Sequence, residues 1–387
     1  MVARYFILFL SLIILPDMYF YWHYLGKHKN FGMARRLLWW LPSIALTAFT
    51  LGLLPLDNFI PDNPQILYLY LFLIASIAIP KAVFALCSFA GLVYCRLTHT
   101  RKNWGNVAGV LASLFGLFVL LYGITIGVNK LEVHALEYRS EDLPEAFDGY
   151  RIVHISDLHV GTFGNNTSMI EKTVDSINAQ HADLIVFTGD LQNAQPSELD
   201  PFQSILSKMK AKDGVYSVLG NHDYAEYIKA DPATETLNEQ LTKSKQRSMG
   251  WNLLLNEWKA VHRGNDSIVI AGMENDGLPP FPKKGDVKQT IKGIGNGAFT
   301  IMLQHDPIAW RRHILPQSNA QLTLSGHTHA SQFKIMGWSP ISLKYKEWGG
   351  QYYAGTRAIF VNTGIGGVVP IRFGVPATIS VITLHKK

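Results

Sequence analysis

The chain has 387 residues, of which 48% are hydrophobic and only 17% charged, with a formal net charge of +6. A soluble chain of this size carries about 25% charged residues, so the average joins two unlike regions. Residues 1–130 hold ten Lys/Arg and three Asp/Glu, against 25 and 26 in residues 131–387; with the excess positive charge confined to the apolar third, a nucleic-acid binder with a basic folded surface is excluded.

Four apolar segments come first. A transmembrane helix needs roughly 20 mostly apolar residues, and residues 5–24, 37–56, 66–95 and 106–127 offer such stretches. The first is the weakest, because Pro16 and Asp17 interrupt it; a carboxylate at membrane depth costs about 2.5–3.5 kcal/mol on insertion scales and marks a functional acid by default. The plainer reading ends that segment near Asp17, with Tyr19–Trp22 at the headgroup boundary. No small-residue cleavage site follows its apolar core, so it is expected to be retained. Pro80 and Lys81 break the third segment, which predicts either one long tilted helix or a kink at Pro80.

The loops set the orientation. Lys27, Lys29, Arg35 and Arg36 lie between the first two segments, and Arg96, Arg101 and Lys102 between the last two; Asp57 and Asp62 lie between the second and third. The positive-inside rule puts the two basic loops in the cytoplasm and everything after Lys130 outside. The expectation is an integral plasma or inner membrane protein with an extracytoplasmic polar domain. Both cysteines, Cys87 and Cys95, fall in the apolar third, so the polar region has no disulfide framework and no cysteine zinc site.

Residues 131–149 read as an acidic, amphipathic linker. From residue 150 on, short apolar runs alternate with polar or glycine-rich turns: Arg151–Ser156, Leu184–Thr188, Val215–Leu219, Ser267–Ala271, Phe299–Leu303, Gln321–Ser325, Ala358–Asn362 and Ala377–Leu384. Continuous runs of this length predict strands buried on both faces. Helical stretches intervene at Asn166–Gln180, Asp200–Met209 and Thr234–Met249. The expected class is α/β, with ligand-binding residues at strand ends.

The chemistry is concentrated in five motifs at those ends: Asp157-Leu158-His159, Gly189-Asp190, Gly220-Asn221-His222-Asp223, Gln304-His305-Asp306 and Gly326-His327-Thr328-His329. In extended backbone, residues i and i+2 point the same way, so Asp157 with His159, and His327 with His329, can each reach one cluster. Carboxylates, imidazoles and one amide oxygen suit two divalent ions, Mn, Fe or Zn. Asp190 is the natural bridge between paired ions about 3.5–4 Å apart, and Asp306 and Asp223 are candidate acceptors for leftover ligand nitrogens.

This ordered set resembles the calcineurin-like metallophosphoesterase superfamily, over roughly residues 150–384, and more narrowly its membrane-anchored bacterial-type branch with N-terminal transmembrane helices. The resemblance implies a four-layer α/β (α+β) sandwich of two mixed sheets flanked by helices, behind an all-α transmembrane region. It implies one metal held by Asp157, His159 and His329, a second by Asn221, His305 and His327, and Asp190 between them. It implies His222 as general acid, Asp223 as the residue orienting it, and attack of a metal-bound hydroxide on a phosphate mono- or diester. Gln332 stands where relatives carry a glutamine, here after Ala330-Ser331 rather than two glycines, and Arg372 lies in the branch's terminal motif; both are candidate substrate contacts. Some relatives of the branch cleave the pyrophosphate of UDP-linked acylated glucosamine, a substrate that needs cytoplasmic access.

A hydrolase tethered to a bilayer predicts a lipid-linked or envelope phosphoester as partner, alongside membrane lipids and without nucleic acid. The alternative is a non-catalytic sensor that keeps the metal domain to bind phosphoryl ligands or a protein partner. His154, inside a strand, reads as a satisfied core histidine. Trp338, Tyr345, Trp348, Tyr352 and Tyr353 read as an apolar lip beside the site, or as packing under a long loop.

Overall fold

The computed structural model describes residues 6–26, 32–56, 64–227 and 230–387. The chain divides into two compact units, Met1–Ile124 and Thr125–Lys387. Lys27, Lys29, Asp57 and Asp62, which carry part of the orientation argument, lie outside the described residues.

The first unit contains α1 (Phe6–Phe20), α2 (Met33–Leu53), α3 (Pro64–Leu73), α4 (Ile79–Thr98) and α5 (Gly105–Thr125). Four stretches are long and apolar enough to cross a membrane: Phe6–Leu25, Met33–Leu53, Gln65–Thr98 and Gly105–Asn129. The third is continuous through Pro80. A π-helical turn at Ile74–Ala78 joins α3 to α4, and this extra-residue turn accommodates the proline's missing N–H. The freed Pro80 carbonyl accepts a hydrogen bond from Ser113 Oγ at 2.8 Å. Helices α4 and α5 meet at Gly105, where an added Cβ would lie 2.1 Å from the Cys87 carbonyl oxygen.

Asp17 does not end the first helix. It is fully buried inside α1, 2.9 Å from Lys81 Nζ on α4, and accepts a hydrogen bond from Ser43 Oγ on α2. Lys81 also lies 5.0 Å above the Trp39 ring. One carboxylate therefore ties three helices together. A second polar knot gathers Tyr19, Tyr24 and Asn106 around Ser88. In hydrocarbon such groups must satisfy each other.

The second unit is a four-layer sandwich. Its elements in order are β1 (Leu131–Ser140), β2 (Arg151–Ile155), α6 (Ser168–Asn178), β3 (Leu184–Phe187), α7 (Gln203–Leu206), β4 (Val215–Ser217), α8 (Pro232–Ser248), β5 (Asn252–Leu253), β6 (Glu257–Arg263), β7 (Asp266–Gly272), β8 (Thr300–Leu303), β9 (Leu322–Ser325), β10 (Gly350–Ala354), β11 (Arg357–Val361) and β12 (Ala377–Lys386). One six-stranded sheet runs β1-β12-β2-β3-β4-β5 and the other β10-β11-β9-β8-β7-β6. Both are mixed: β12 is antiparallel to β2, and β2, β3, β4 and β5 run parallel.

The apolar runs are buried on both faces. Ile152, Val186, Ile270, Leu303 and Leu324 fill the space between the sheets, while Val153, Ile185 and Phe187 face the α6 and α7 layer. The second sheet packs its outer face on Trp310 and Ile314. Each parallel strand delivers its C-terminal turn to the same end of the sandwich, which gathers the five motifs.

Residues 131–149 are not a free linker. Leu131–Ser140 forms β1, paired parallel with β12 from Leu131↔Ala377 to Ser140↔Lys386. It is an edge strand whose half-exposed pattern, with Glu132, His134, Glu137 and Arg139, hides the strand period. Tyr138 anchors it by donating to the carbonyls of Gln321 and Thr356, which flank strands of the other sheet. The short β5, β6 and β10 also carried no continuous apolar run.

Replacing Lys81 by Met leaves a buried carboxylate without its cation, at a cost of about 3–5 kcal/mol. Thermal unfolding in a defined bilayer should show this loss, and Asp17→Leu combined with Lys81→Met should recover most of it. A double variant as unstable as the single one would contradict the pairing. His154 gives a pH test: it is fully buried, Nε2 is 2.9 Å from Thr188 Oγ1, and burial pushes its pKa down to about 3. Its neutral form contributes stability above the unfolded pKa of 6.5, lost progressively as pH falls toward 3. His154→Gln should flatten the fall in melting temperature between neutral and mildly acidic pH; parallel curves would contradict it.

Candidate metal centre

The five strand-end turns bring nine motif residues together at one end of the sandwich. Asp157, His159, Asp190 and His329 form one group whose ligating atoms lie within 4.8 Å of one another, and Asp190, His305 and His327 form a second. Asp190 belongs to both. Its Oδ2 lies 3.5 Å from His159 Nε2 and 3.1 Å from His305 Nε2. In the first group, His329 Nε2 is 3.2 Å from both Asp157 Oδ1 and His159 Nε2. In the second, His327 Nδ1 is 2.8 Å from Asn221 Oδ1 and 3.3 Å from His305 Nε2.

The backbone reaches this arrangement by leaving the strand conformation. Asp157, His159, Asp190, His327 and His329 all have positive φ, between 43° and 71°. For residues other than glycine such conformations cost about 1–3 kcal/mol each and cluster at functional sites. The expected alternation of i and i+2 side chains therefore does not operate. Asp157 and His159 join one group through left-handed turns, and His327 and His329 are split between the two. Close approach is the second requirement: a Cβ on Gly220 would lie 2.2 Å from Asp190 Oδ1.

The protonation pattern points to cations. His305 Nδ1 donates to the Thr188 carbonyl at 2.7 Å, so in the neutral ring Nε2 turns its lone pair toward the Asp190 carboxylate. Burial works to lower the His305 pKa, but Asp190 and Asp157 outweigh it and raise the value to about 10. Asp190 is held well below the usual carboxylate range, against its own burial, by His305 and His222. Burial keeps His159, His327 and His329 on the neutral side. Neutral imidazoles and ionised carboxylates with facing lone pairs need a positive charge among them, and this donor set fits two divalent ions.

Outer contacts orient some ligands. His327 Nε2 is 3.0 Å from Tyr345 Oη and 3.4 Å from Asp306 Oδ2, and Tyr345 donates to that carboxylate at 3.3 Å. Burial raises the Asp306 pKa to about 6. Phe281 packs edge-on against His327, ring centroids 4.8 Å apart. The Nδ1 atoms of His159 and His329 are buried without hydrogen-bond partners, so Asp306 serves His327 alone.

His222 and Asp223 divide their work differently from the expectation. The Asp223 carboxylate accepts from the backbone N–H groups of Asp190 at 2.8 Å, Leu191 at 2.8 Å and Gly220 at 2.9 Å. It clamps two strand-end turns together and does not orient the His222 ring; burial and the Asp190 charge raise its pKa to about 7. The orienting group is the Asn193 carbonyl, which accepts from His222 Nδ1 at 2.5 Å. That loop is fixed in turn by Glu198, which accepts from the N–H groups of Asn193, Ala194 and Gln195. Tyr227 stacks on His222 at 4.1 Å and accepts from Asn221 Nδ2 at 2.8 Å.

Two expected substrate contacts are redirected. Arg372 is fully buried, and its guanidinium donates to the carbonyls of Thr363, Gly364, Gly366, Val375 and Pro376. It staples the chain around Gly364–Gly366 against Asp157 and leaves no fork for a phosphate. Gln332 likewise donates to the carbonyls of Val369 and Ile371 at 3.0 and 2.8 Å. The expected lip also sorts out: Trp338 and Tyr353 are exposed, Trp348 and Tyr352 are half-buried, and Tyr345 is buried against the site. Asn193, Glu198, Tyr227 and Phe281 stand outside the five motifs, and only the nearness of Tyr227 to His222 in sequence hinted at a role.

Known proteins share this arrangement of parts. A family model described as calcineurin-like phosphoesterase matches residues 150–331, and one described as probable calcineurin-like phosphoesterase, transmembrane domain, matches residues 3–128. The chain is 33% identical to a transmembrane protein with metallophosphoesterase domain from Danio rerio, over 58% of this chain and half the length of that protein. It is 30% identical to the uncharacterized metallophosphoesterase YkuE of Bacillus subtilis, over 66% of this chain and 87% of that one. It is 27% identical to the UDP-2,3-diacylglucosamine pyrophosphatase LpxG of Chlamydia muridarum, over 66% and 89%. With the strand-end turns, the sandwich and the four apolar helices in agreement with these matches, the chain belongs to the calcineurin-like phosphoesterase family.

Proposed function

We infer that this chain is a membrane-anchored, dimetal phosphoesterase that hydrolyses a phosphodiester or pyrophosphate bond in a lipid-borne substrate. The observation that carries the reading is the shared Asp190, one carboxylate in two ligand groups with His222 beside them. Asp157, His159 and His329 would hold one ion, Asn221, His305 and His327 the other, and Asp190 both. Divalent ions in such a pair polarise a phosphoryl oxygen and lower the pKa of bound water.

The chain's own groups supply the rest. Asn193 fixes His222 Nδ1 as a donor, which leaves Nε2 to give its proton to the leaving oxygen as the P–O bond breaks and water oxygen adds to phosphorus. Stacking on Tyr227 and the Glu198-bound loop hold that ring in place. Tyr345 and Phe281 shield the His327 side from water. The positive-inside reading of Arg35, Arg36, Arg96, Arg101 and Lys102 favours a catalytic unit on the extracytoplasmic side. The name of the Chlamydia relative supports a lipid-linked pyrophosphate as substrate chemistry, and a cytoplasmic nucleotide-linked substrate would require the opposite orientation.

In the full-length protein, His222→Ala should keep its bound metal and lose at least about a hundredfold in turnover of a generic aryl phosphodiester with added Mn²⁺. Near-wild-type turnover would remove His222 from the mechanism. No turnover of any phosphoester by the metal-loaded wild type would favour a phosphoryl-binding sensor instead.

A further inference from the structure

Directly after His329 the chain continues through Ala330, Ser331 and Gln332 with φ of 50°, 52° and 53°, and then forms a two-residue hairpin. Ile335 and Trp338 exchange both backbone hydrogen bonds at 2.9 Å, and the turn residues Met336 and Gly337 have φ of 47° and 81°. Positive φ at both turn positions is a type I′ geometry, which favours Asn-Gly or Gly-Gly. Here a methionine takes the first position and is fully exposed. A large apolar side chain gains nothing from water at such a tip, and its left-handed backbone adds a cost. Leu343, 84% exposed, and exposed Trp338 and Val368 add apolar surface on the segments that frame the site. Lys334, Lys344 and Lys346 are exposed among them.

The register places this tip at the end of the unit where the chain enters. Phe333, at the hairpin's base, pairs with Phe373, four residues before Ala377, and Ala377 pairs with Leu131 at the start of β1. The last candidate span ends at Asn129. The hairpin is also tied to the metal loop, because Ser339 Oγ donates to the Ala330 carbonyl at 2.6 Å. Seven residues separate His329 from Met336, so the tip lies within about 25 Å of that ligand.

We propose that the Ile335–Trp338 hairpin, with Leu343 and a rim of Lys334, Lys344 and Lys346, dips into the headgroup–acyl boundary of the bilayer that anchors the chain, and so presents the metal centre to phosphoesters carried by membrane lipids. Apolar tips flanked by lysines bind interfaces through buried apolar area and attraction to anionic headgroups. The inference rests on the phosphoesterase reading for its substrate, but the insertion itself does not.

The test uses the full chain in nanodiscs of phosphatidylcholine and phosphatidylglycerol. With Cys87 and Cys95 replaced by serine, an environment-sensitive dye on Met336→Cys should emit blue-shifted light and be quenched by lipid-borne nitroxides, while the same dye on Leu237→Cys, an exposed position of α8, should not. Separately, Met336→Asp with Leu343→Asp should lose at least about tenfold in cleavage of a long-chain lipid phosphodiester embedded in the disc and keep wild-type turnover of a soluble aryl phosphodiester. A water-like, unquenched dye at 336, or equal cleavage of both substrates by variant and wild type, would overturn the proposal. A wild type that cleaves neither substrate would sink the phosphoesterase reading, and the quenching result would still decide the insertion.

Discussion

The constraint on which the catalytic unit depends is electrostatic. Five imidazoles, two carboxylates and one amide oxygen converge where buried lone pairs face one another, and Asp190 stands between two sets of them. Without compensating positive charge such a cluster is costly, because like dipoles and anions in a low-dielectric interior repel strongly. The unit meets part of that demand from the protein. His222 donates its backbone N–H to Asp190 Oδ1, and the His327 N–H reaches both Asp157 oxygens at 3.1 and 3.0 Å. The remainder calls for cations, and that places an electropositive pair where an anionic phosphate must arrive, in a region whose own charge is close to balanced.

Holding that convergence costs backbone strain, offset by the sandwich beneath it. Left-handed residues occur at every metal-bearing turn except that of Asn221 and His305. Asp223 and Arg372 restrain these turns from below. The first gathers three N–H groups and the second five carbonyls, so two buried charged groups are spent on backbone geometry. Buried charges satisfied in this way hold a site rigid, and preorganised donors are what electrostatic catalysis requires.

Much of this was legible in the sequence because the signals were short-range. The five motifs sit where apolar runs end, and runs such as Leu184–Phe187, buried on both faces, need no partner information to be read as strands. The four apolar segments were equally plain, including the one containing Asp17. What sequence could not supply were roles set by contacts between distant residues. Asp223 and Arg372 resemble functional residues by motif, yet their atoms are taken up by backbone groups more than 30 positions away in one case and by a tight local loop in the other. β1 was hidden because an edge strand is half solvated and its charges interrupt the apolar period. Tyr345 looked like one of several exposed aromatics, and only the fold turns its hydroxyl onto His327. Asp17 looked misplaced until Lys81, 64 residues later, stood beside it.

The basic, apolar first third and the nearly neutral remainder are thus two halves of one device: a bundle that fixes the chain in a bilayer and a sandwich whose buried anions and imidazoles are arranged around missing positive charge. The central claim concerns that charge. Metal analysis of the full-length protein, stripped with chelator and titrated with Mn²⁺ or Zn²⁺, tests it most directly. About two ions should bind per chain, and Asp190→Ala should lose that binding while the sandwich stays folded, since one carboxylate serves both groups. A folded wild type that binds no divalent ion, or an Asp190→Ala variant that binds two as tightly as wild type, would contradict the account.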